Sequence, residues 1–398
     1  MSTRMSSRER LMAAIGYQPV DHLPCCFMLF GALHKKSADG LDFVDRQIAM
    51  GVDAYAELPL RPPDRSRKLL DSYDLYGLPV RYDPAAVIRD SVSMEDGREV
   101  VRREYALRGG KLTTAVFKTE DWTHGNRVPI FDDYVVPRAV KRLVTERTDI
   151  SLVRELLVPP GAADIAAYRA EAKRVKAFAA NRGVATVGEW GVLFDAACWL
   201  AGMEEMAERI IEEPDFVEEI LAVIGEWNLK RMELVLEAKP DLLVRRAWYE
   251  TVDFMSPPNF RKLVLPWRKR EAKLAHEAGA KLGSITSSAY TPILDDLVES
   301  GMDVMLGLDP VQDARADFPL TKRKFAGKVA LWGGVNGFVT IENGTPAQVR
   351  EAVEKAVGVL APGGGFILSP VDNVREDNPK VWRNVTAFID AWKEVAAA

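Results

Sequence analysis

The chain has 398 residues, of which 47% are apolar and 28% charged, a balance that supports a large buried core and excludes a disordered or collagen-like protein. Its 53 Lys and Arg residues against 58 Asp and Glu residues leave a formal charge of −5, which offers no net attraction for nucleic acid. Three cysteines cannot form a disulfide framework, and no apolar run indicates a signal peptide or a membrane span, so we expect a cytoplasmic protein.

Short apolar runs alternate with helical patterns along most of the chain, which predicts a parallel sheet flanked by helices. Two runs precede residue 60, with a predicted helix at 41–50 between them, and six follow from residue 184 onward. A longer helix is predicted at 215–238 because Phe216, Ile220, Ile224 and Trp227 fall on one face. The eight predicted strands are 22–30, 53–58, 184–190, 241–247, 281–286, 303–306, 328–332 and 366–368.

Eight strands with intervening helices can close into a barrel. An open doubly wound sheet usually has a glycine-rich first turn, and no such turn follows Phe30. We therefore predict an α/β fold, a TIM (β/α)8 barrel that forms one domain over residues 1–398.

Residues 61–150 are too long for one connection of such a barrel. Alternating patterns at 99–105 and 113–118, separated by Arg108, Gly109 and Gly110, predict a β-hairpin or small sheet. Because this β-rich insertion leaves after the second strand, we expect it at the C-terminal rim, where it can form a lid.

Chemistry in a TIM barrel occurs at the C-terminal ends of the strands, so polar residues just past each strand are the candidates. Glu189 and Trp190 end the third strand, and a carboxylate beside aromatic rings can act as a general acid. A Glu189 hydrogen-bonded to a neighbouring loop is the structural alternative. The fourth strand ends in Arg246, Trp248 and Tyr249, which we predict to bind substrate.

Further candidates follow the same strand and the later ones. Glu250 is a second candidate acid, whereas Asp253 is predicted to bind substrate or to cap the helix that starts at the following prolines. Turn formation is the alternative for the polar residues after strands six to eight. That group consists of Asp309 and Asn336, predicted to bind substrate, and of Asp372 and Asn373, predicted as an acid and a substrate ligand. The four histidines have no metal-ligand spacing.

Four stretches of the sequence resemble the uroporphyrinogen decarboxylase superfamily. They are residues 6–24 (SSRERLMAAIGYQPVDHLP), 248–281 (WYETVDFMSPPNFRKLVLPWRKREAKLAHEAGAK), 291–304 (TPILDDLVESGMDV) and 330–337 (ALWGGVNG). The resemblance spans nearly the whole chain and implies a TIM barrel. The superfamily contains porphyrinogen decarboxylases and methyltransferases that depend on a corrinoid or coenzyme M.

The residues at two family motifs indicate the branch. Porphyrinogen decarboxylases carry an Arg-Gln-Ala-Gly-Arg-Tyr segment after the first strand, whereas residues 25–34 contain no arginine, which disfavours a substrate with many carboxylates. Zinc-dependent methyltransferases carry His-x-Cys and a later Cys, and these positions correspond to Ile285, Ser287 and Asp372. Since these side chains do not make a zinc-thiolate site, we expect no zinc.

The resemblance therefore implies a methyltransferase-like member without the zinc motif. We expect it to move a methyl group from a small, aromatic methyl ether to a corrinoid held by a separate partner protein. Glu189, Glu250 or Asp372 would protonate the leaving oxygen, and Trp190, Trp248, Tyr249 and Trp332 would wall the substrate site. Decarboxylation of a carboxylated substrate and a non-catalytic, ligand-binding barrel are the alternatives. A homodimer is compatible with the sequence, which does not fix the oligomeric state.

Overall fold

The structure is a computed structural model that describes residues 4–60 and 78–397 and contains three sheets. The strands are β1 (Tyr55–Leu58), β2 (Arg81–Tyr82), β3 (Val87–Glu95), β4 (Arg98–Ala106), β5 (Lys111–Phe117), β6 (Ala139–Lys141), β7 (Leu157–Val158), β8 (Ala185–Gly191), β9 (Leu242–Arg246), β10 (Lys281–Ile285), β11 (Val304–Leu308), β12 (Ala330–Asn336) and β13 (Phe366–Val371).

The largest sheet is parallel, and its strands are ordered β1-β8-β9-β10-β11-β12-β13. Its two outer strands are joined through a two-residue segment, because Cys25 pairs with Leu368 in β13 and Cys26 pairs with Asp53 beside β1. Backbone hydrogen bonds from Cys26 to Leu368 (3.0 Å) and from Asp53 to Cys25 (2.7 Å) complete the circle. The predicted α/β barrel is confirmed, although the first predicted strand, 22–30, contributes only this short bridge.

Side chains that alternate along the barrel strands fill the interior. They are Ala185, Val187, Leu242, Val244, Val304, Leu306, Ala330, Trp332 and Ile367. Leu11, Ala14 and Ile15 of the first helix belong to the same cluster, and the amide of Arg8 donates to the carbonyl of Gly183, just before β8. This helix therefore covers the N-terminal end of the barrel and leaves the C-terminal end for a site.

Helices pack around the barrel, and most bury one face, whereas every residue of the helix Phe194–Ala201 is buried. The predicted helices at 41–50 and 215–238 are confirmed, with bounds Gly40–Ala49 and Pro214–Glu237. Among the described residues, no helix has the length and apolarity needed to cross a membrane. The remaining α-helices are Ser7–Ile15, Gly31–His34, Arg147–Leu156, Ala162–Arg182, Phe194–Ala201, Met203–Glu212, Pro257–Leu263, Leu265–Glu277, Leu294–Glu299, Phe318–Phe325, Pro346–Leu360 and Pro379–Ala397.

Strand β12 extends four residues beyond its predicted end, and the added part begins with two glycines, Gly333 and Gly334. Gly333 has φ of 147°, and a Cβ atom there would lie 2.8 Å from the backbone nitrogen of Leu308. Glycine is thus required where β12 approaches β11, next to a shift in their register between Leu306 and Leu308.

The predicted insertion contains an antiparallel sheet of order β3-β4-β5-β6. The predicted hairpin corresponds to β4 and β5, where Tyr105 pairs with Leu112, whereas β3 and β6 were not predicted. Residues 61–77 of the insertion lie outside the described residues. The domain limits given above stay a prediction, but one loop of this region, between β5 and β6, reaches the mouth of the barrel.

Candidate active site

An arginine held between two indole rings lies at the C-terminal mouth of the barrel. Arg246 is the last residue of β9, and its side chain is only 6% exposed. Its guanidinium carbon lies 3.4 Å from the ring centre of Trp248 and 4.7 Å from that of Trp199. Cation–π contacts with these two rings restrict where the guanidinium group can lie.

Three donors from the barrel converge on one carboxylate, that of Asp133, in the loop between β5 and β6. Arg246 donates to Oδ2 at 2.5 Å, while the Tyr249 hydroxyl and the Trp199 indole N–H donate to Oδ1 at 2.7 and 2.5 Å. The Asp133 side chain is 31% exposed. These three donors and the carboxylate of Asp133 therefore form one charge-assisted hydrogen-bond cluster at the mouth.

A second carboxylate, Asp195, lies beneath this site and is fully buried. It accepts hydrogen bonds from the backbone amides of Trp248 (3.1 Å) and Tyr249 (3.2 Å), and it lies 3.6 Å from Nε of Arg246. Burial raises the pKa of Asp195 to about 6, although Arg246 opposes the shift. Asp195 thus orients the two aromatic residues and the guanidinium group from below.

Glu250, predicted as an acid, lies in a fully buried cluster of charged side chains. Its two oxygens accept from Arg245 at 2.5 and 2.7 Å and from Arg268 at 2.9 Å, while Arg245 also contacts Glu271 at 2.8 Å. Burial would raise the pKa of Glu250, but the two arginines prevail and lower it. We therefore correct the assignment, because a carboxylate held ionised by two guanidinium groups is a poor proton donor.

The residues that follow β11 and β12 bind to each other. Asn336 donates to Asp309 at 2.7 Å, and Asp309 also accepts from the backbone amides of Val311 and Gln312. Asp309 is fully buried, which raises its pKa. Asn336 also accepts from the amide of Val339 and starts the π-helical turn Gly337–Glu342. Both side chains thus have the loop-shaping role that the sequence left open as the alternative.

The polar residues after β13 and β9 have separate partners. Asp372 is 30% exposed and accepts from the amide of Asn373 and from Arg375. Asn373 accepts from the amide of Gly31, across the seam of the barrel. Asp253 is 40% exposed and forms an ion pair with Arg315 at 2.7 Å, so it does not join the group around Arg246.

The structure describes the side chain of the predicted wall residue Trp332, but not those of Glu189 and Trp190. Trp332 is 1% exposed inside the barrel, where its indole N–H donates to the carbonyl of Cys26 at 2.8 Å and its ring packs edge-on against Tyr55. It belongs to the interior packing rather than to the open rim. Glu189 and Trp190 lie in β8, with Glu189 opposite Val244, but their side chains lie outside the description.

The positions at which the superfamily's zinc ligands were expected do not make a metal site. Ile285 ends β10 and packs against the barrel interior, Ser287 follows it, and Asp372 follows β13. An isoleucine side chain has no donor atom, and serine is a poor zinc ligand. Among the side chains that the structure describes, which do not include those of residues 189 and 190, no group of three or more His, Cys, Asp or Glu residues is arranged to hold a metal ion.

Sequence reasoning misses Asp133, Asp195 and Trp199. Asp195 and Trp199 come soon after the end of β8, on the helix Phe194–Ala201, so a search that extended past the first rim residues would have included them. Asp133 had a weaker signal, a pair of adjacent carboxylates in the insertion that was expected to cover the mouth. By contrast, Arg246, Trp248 and Tyr249 are brought together as the sequence suggested, and their role in binding stays a prediction.

Comparison with known proteins is consistent with this architecture. A family model described as uroporphyrinogen decarboxylase (URO-D) matches residues 128–395. A methyltransferase from Methanosarcina mazei is similar in structure with a TM-score of 0.58 and 16% sequence identity, over 98% of this chain and 99% of that one. A B12-independent methionine synthase from Shewanella sp. W3-18-1 aligns with a TM-score of 0.39 and 11% identity, over 57% of this chain and 66% of that one.

No curated protein matches the chain. At 16% identity the likeness to the methyltransferase shows a shared fold over the whole length. The family match extends from the loop that carries Asp133 to the last helix and covers more than half of the chain. This protein therefore belongs to the uroporphyrinogen decarboxylase (URO-D) family.

Proposed function

We propose that this protein is a methyltransferase that demethylates a small, aromatic methyl ether and passes the methyl group to a corrinoid carried by a separate protein. The observation that carries the proposal is the group at the mouth, in which the guanidinium of Arg246 stacks between Trp199 and Trp248 beside Tyr249. Aromatic walls with a few directed polar groups suit a small aromatic ligand. Family membership and the whole-length fold shared with a methyltransferase support the same conclusion.

Demethylation of an ether breaks the bond between the methyl carbon and the oxygen, and the bonding pair stays on the oxygen. A reduced corrinoid supplies the nucleophile for such a methyl group. The residues of this chain would bind the ring, exclude water and deliver one proton to the leaving oxygen. Zinc has no part in the proposal, because Ile285 and Ser287 occupy the superfamily's ligand positions.

The proton donor that we propose is Glu189 or Asp372. Asp372 keeps a partly exposed carboxylate at the C-terminal end of β13, and the backbone of Glu189 lies near the corresponding end of β8. Asp195 has a different task, since its carboxylate is buried and bound to the amides of Trp248 and Tyr249. We assign it the positioning of these two residues and of Arg246.

Decarboxylation of a carboxylated substrate is the second candidate, and a specific observation favours it. The donors around Asp133 already bind a carboxylate, which is the group that a decarboxylase must hold. This reading predicts release of carbon dioxide without any corrinoid. A barrel that only binds its ligand predicts neither reaction.

To test the proposal, the purified protein is incubated with cob(I)alamin and a panel of methoxyarenes. Methyl transfer is measured as the change in corrinoid absorbance. We expect methyl transfer from at least one aromatic ether. Substitution of the true acid, by Glu189→Gln or Asp372→Asn, should slow transfer by about 100-fold or more. Asp121→Asn is the matched control, because Asp121 is an exposed carboxylate paired with Arg138.

Three results would count against the proposal. Absence of transfer across the panel would remove the methyltransferase activity, and carbon dioxide release from a carboxylated arene without corrinoid would favour the second candidate. Unchanged rates in both acid variants would remove the acid roles.

The cytoplasmic location that we expect rests on the three unpaired cysteines, Cys25, Cys26 and Cys198. A homodimer is a further part of the proposal, and the mass of the protein in solution tests it.

A further inference from the structure

The outer edge of strand β3 pairs with no other strand in the described part of the chain. The insertion sheet has the order β3-β4-β5-β6, so β3 lies at its end, and it runs for nine residues, Val87–Glu95. It contains no proline, and its register with β4 is continuous. Edge strands usually carry a proline, a bulge or another protective feature, because an open row of backbone N–H and C=O groups is a template for pairing with another chain.

The backbone groups at this edge belong to the even-numbered residues of β3. The amide of Lys118, which follows β5, donates to the carbonyl of Glu99 at 2.7 Å. The odd-numbered residues of β4 therefore bond to β5, and the even-numbered ones bond to β3. Since Glu95 lies opposite Arg98, the odd-numbered residues of β3 bond to β4. The N–H and C=O groups of Val92 and of its even-numbered neighbours thus point away from the sheet.

The apolar side chains of these even-numbered residues are exposed. Val92 lies opposite Val101, which is fully buried, yet Val92 itself is 42% exposed. Ile88 and Met94 lie on the same face of the strand, and Met94 is 68% exposed. Strand β3 thus extends the packed face of its sheet beyond the residues that cover it. A strand placed beside β3 would bury the open backbone groups together with these side chains.

The charges of β3 favour a second copy of the same strand as its partner. In antiparallel pairing about a two-fold axis at Val92, Arg89 of each copy lies opposite Glu95 of the other, and no like charges lie opposite each other. An axis at Asp90 would place two carboxylates side by side, and an axis at Ser91 would leave Arg89 opposite a serine. The Arg89 and Glu95 side chains are 72% and 37% exposed, so both are accessible to a second copy.

We propose that two copies of this chain pair through β3, antiparallel and with Val92 on the two-fold axis, so that their four-stranded sheets form one sheet of eight strands. The pairing would add about six backbone hydrogen bonds, because each outward-facing pair of residues exchanges two. The two Val92 side chains would lie side by side, flanked by an ion pair between Arg89 and Glu95 at each end. The inference rests on the homodimer proposed above, for which it specifies the interface, and is independent of methyl transfer.

A cysteine on the axis tests the register. Val92→Cys places two thiols opposite each other, with about 5.5 Å between the Cα atoms, which is a separation that a disulfide spans. The three native cysteines are all buried, so the introduced thiol is the accessible one. We expect oxidation with diamide to yield a covalent dimer of Val92→Cys on a denaturing gel without reductant. Ser91→Cys, one position off the axis, is the control and should yield none.

The strength of the association is measured as a dissociation constant, by sedimentation equilibrium of the full chain. Val92→Lys places two positive charges side by side on the axis and should weaken the dimer by at least about tenfold. Ile211→Lys is the matched control, because Ile211 is an apolar residue that is 79% exposed on the helix Met203–Glu212. It should leave the dissociation constant at the wild-type value.

Reversal of the charges tests the ion pairs across the axis. Arg89→Glu alone places two carboxylates opposite each other at each end of the interface, and Glu95→Arg alone places two guanidinium groups there. Each change should weaken the dimer by about threefold or more. The two changes together restore opposite charges at both ends and should recover most of the affinity.

A mass of one chain at all concentrations overturns the inference. Cross-linking of Ser91→Cys in place of Val92→Cys also overturns it, since the axis would lie elsewhere, and so does a double charge reversal that recovers no affinity. A dimer that does not respond to Val92→Lys would keep the homodimer and refute this interface. None of these measurements needs a corrinoid or a methoxyarene, so their failure is distinguishable from a failure of methyl transfer.

Discussion

Replacing Glu250 with Gln should destabilise the protein strongly, because Glu250 is the anion shared by two buried arginines. The change removes one negative charge that is fully buried and that accepts from Arg245 at 2.5 and 2.7 Å and from Arg268 at 2.9 Å. Glu271 still neutralises Arg245 in part, since it lies 2.8 Å away. Breaking a buried ion pair from one side costs about 3–5 kcal/mol, and we expect the loss of unfolding free energy to fall in that range.

The assay is urea-induced unfolding at neutral pH, followed by circular dichroism, with Glu299→Gln as the control. Glu299 pairs with Lys269 but is 58% exposed, so its substitution should leave the urea midpoint unchanged. The pKa of Glu250 lies below its ordinary value, so its contribution is present above the pKa of an unfolded glutamate and is lost as the pH falls through the folded pKa. The wild-type and Glu250→Gln proteins should therefore converge in stability at acidic pH. A loss below about 1 kcal/mol at pH 7 would refute the reasoning, since a surface pair contributes that little.

Three further predictions concern other buried groups. Trp332→Phe removes the N–H that donates to the carbonyl of Cys26 (2.8 Å). This change should lower the free energy of unfolding in urea by about 1–3 kcal/mol. An unchanged free energy of unfolding would mean that this hydrogen bond is not needed for stability. Asn336→Ala removes the donor to the buried carboxylate of Asp309 (2.7 Å) and should cost a similar amount, about 1–3 kcal/mol, which thermal and urea unfolding can check against each other. Burial raises the pKa of Asp195 to about 6, so the protonated form is favoured in the folded state, and wild-type stability relative to Asp195→Asn should fall as the pH rises from the unfolded pKa to about 6. A difference between these two proteins that is constant with pH would contradict that shift.

The barrel could be predicted because its strands are buried, and buried strands are recognisable in the sequence as apolar runs. Strands such as β9 and β11 are buried on both faces, so they appear as short apolar runs, and seven of the eight predicted strands lie within a few residues of the observed ones. The first run, 22–30, was wrong in length, since only Cys25 and Cys26 pair with neighbours. Strand β12 was predicted too short because Gly333 and Gly334 resemble a turn when their packing against β11 is unknown.

The chemistry of the site was predictable only in part, because an acidic residue in the sequence gives no sign of whether its side chain is buried in the fold. Glu250 and Asp253 are three residues apart and equally acidic, yet one is fully buried between arginines and the other is 40% exposed beside Arg315. The contact between Asp133 and Arg246 joins residues 113 positions apart, and it depends on how the insertion folds back over the mouth. No local pattern encodes such a contact.

The barrel closes at Cys25 and Cys26 through a pair of single bridges instead of a full ladder, and this makes two thiols reporters of the seam. Both thiols are fully buried, and burial raises their pKa well above the ordinary value, so an alkylating reagent finds neither access nor thiolate while the seam is shut. Mass spectrometry can resolve the labelling of these two cysteines from that of Cys198. Their labelling rate therefore reports how often the barrel opens between its two outer strands, β1 and β13.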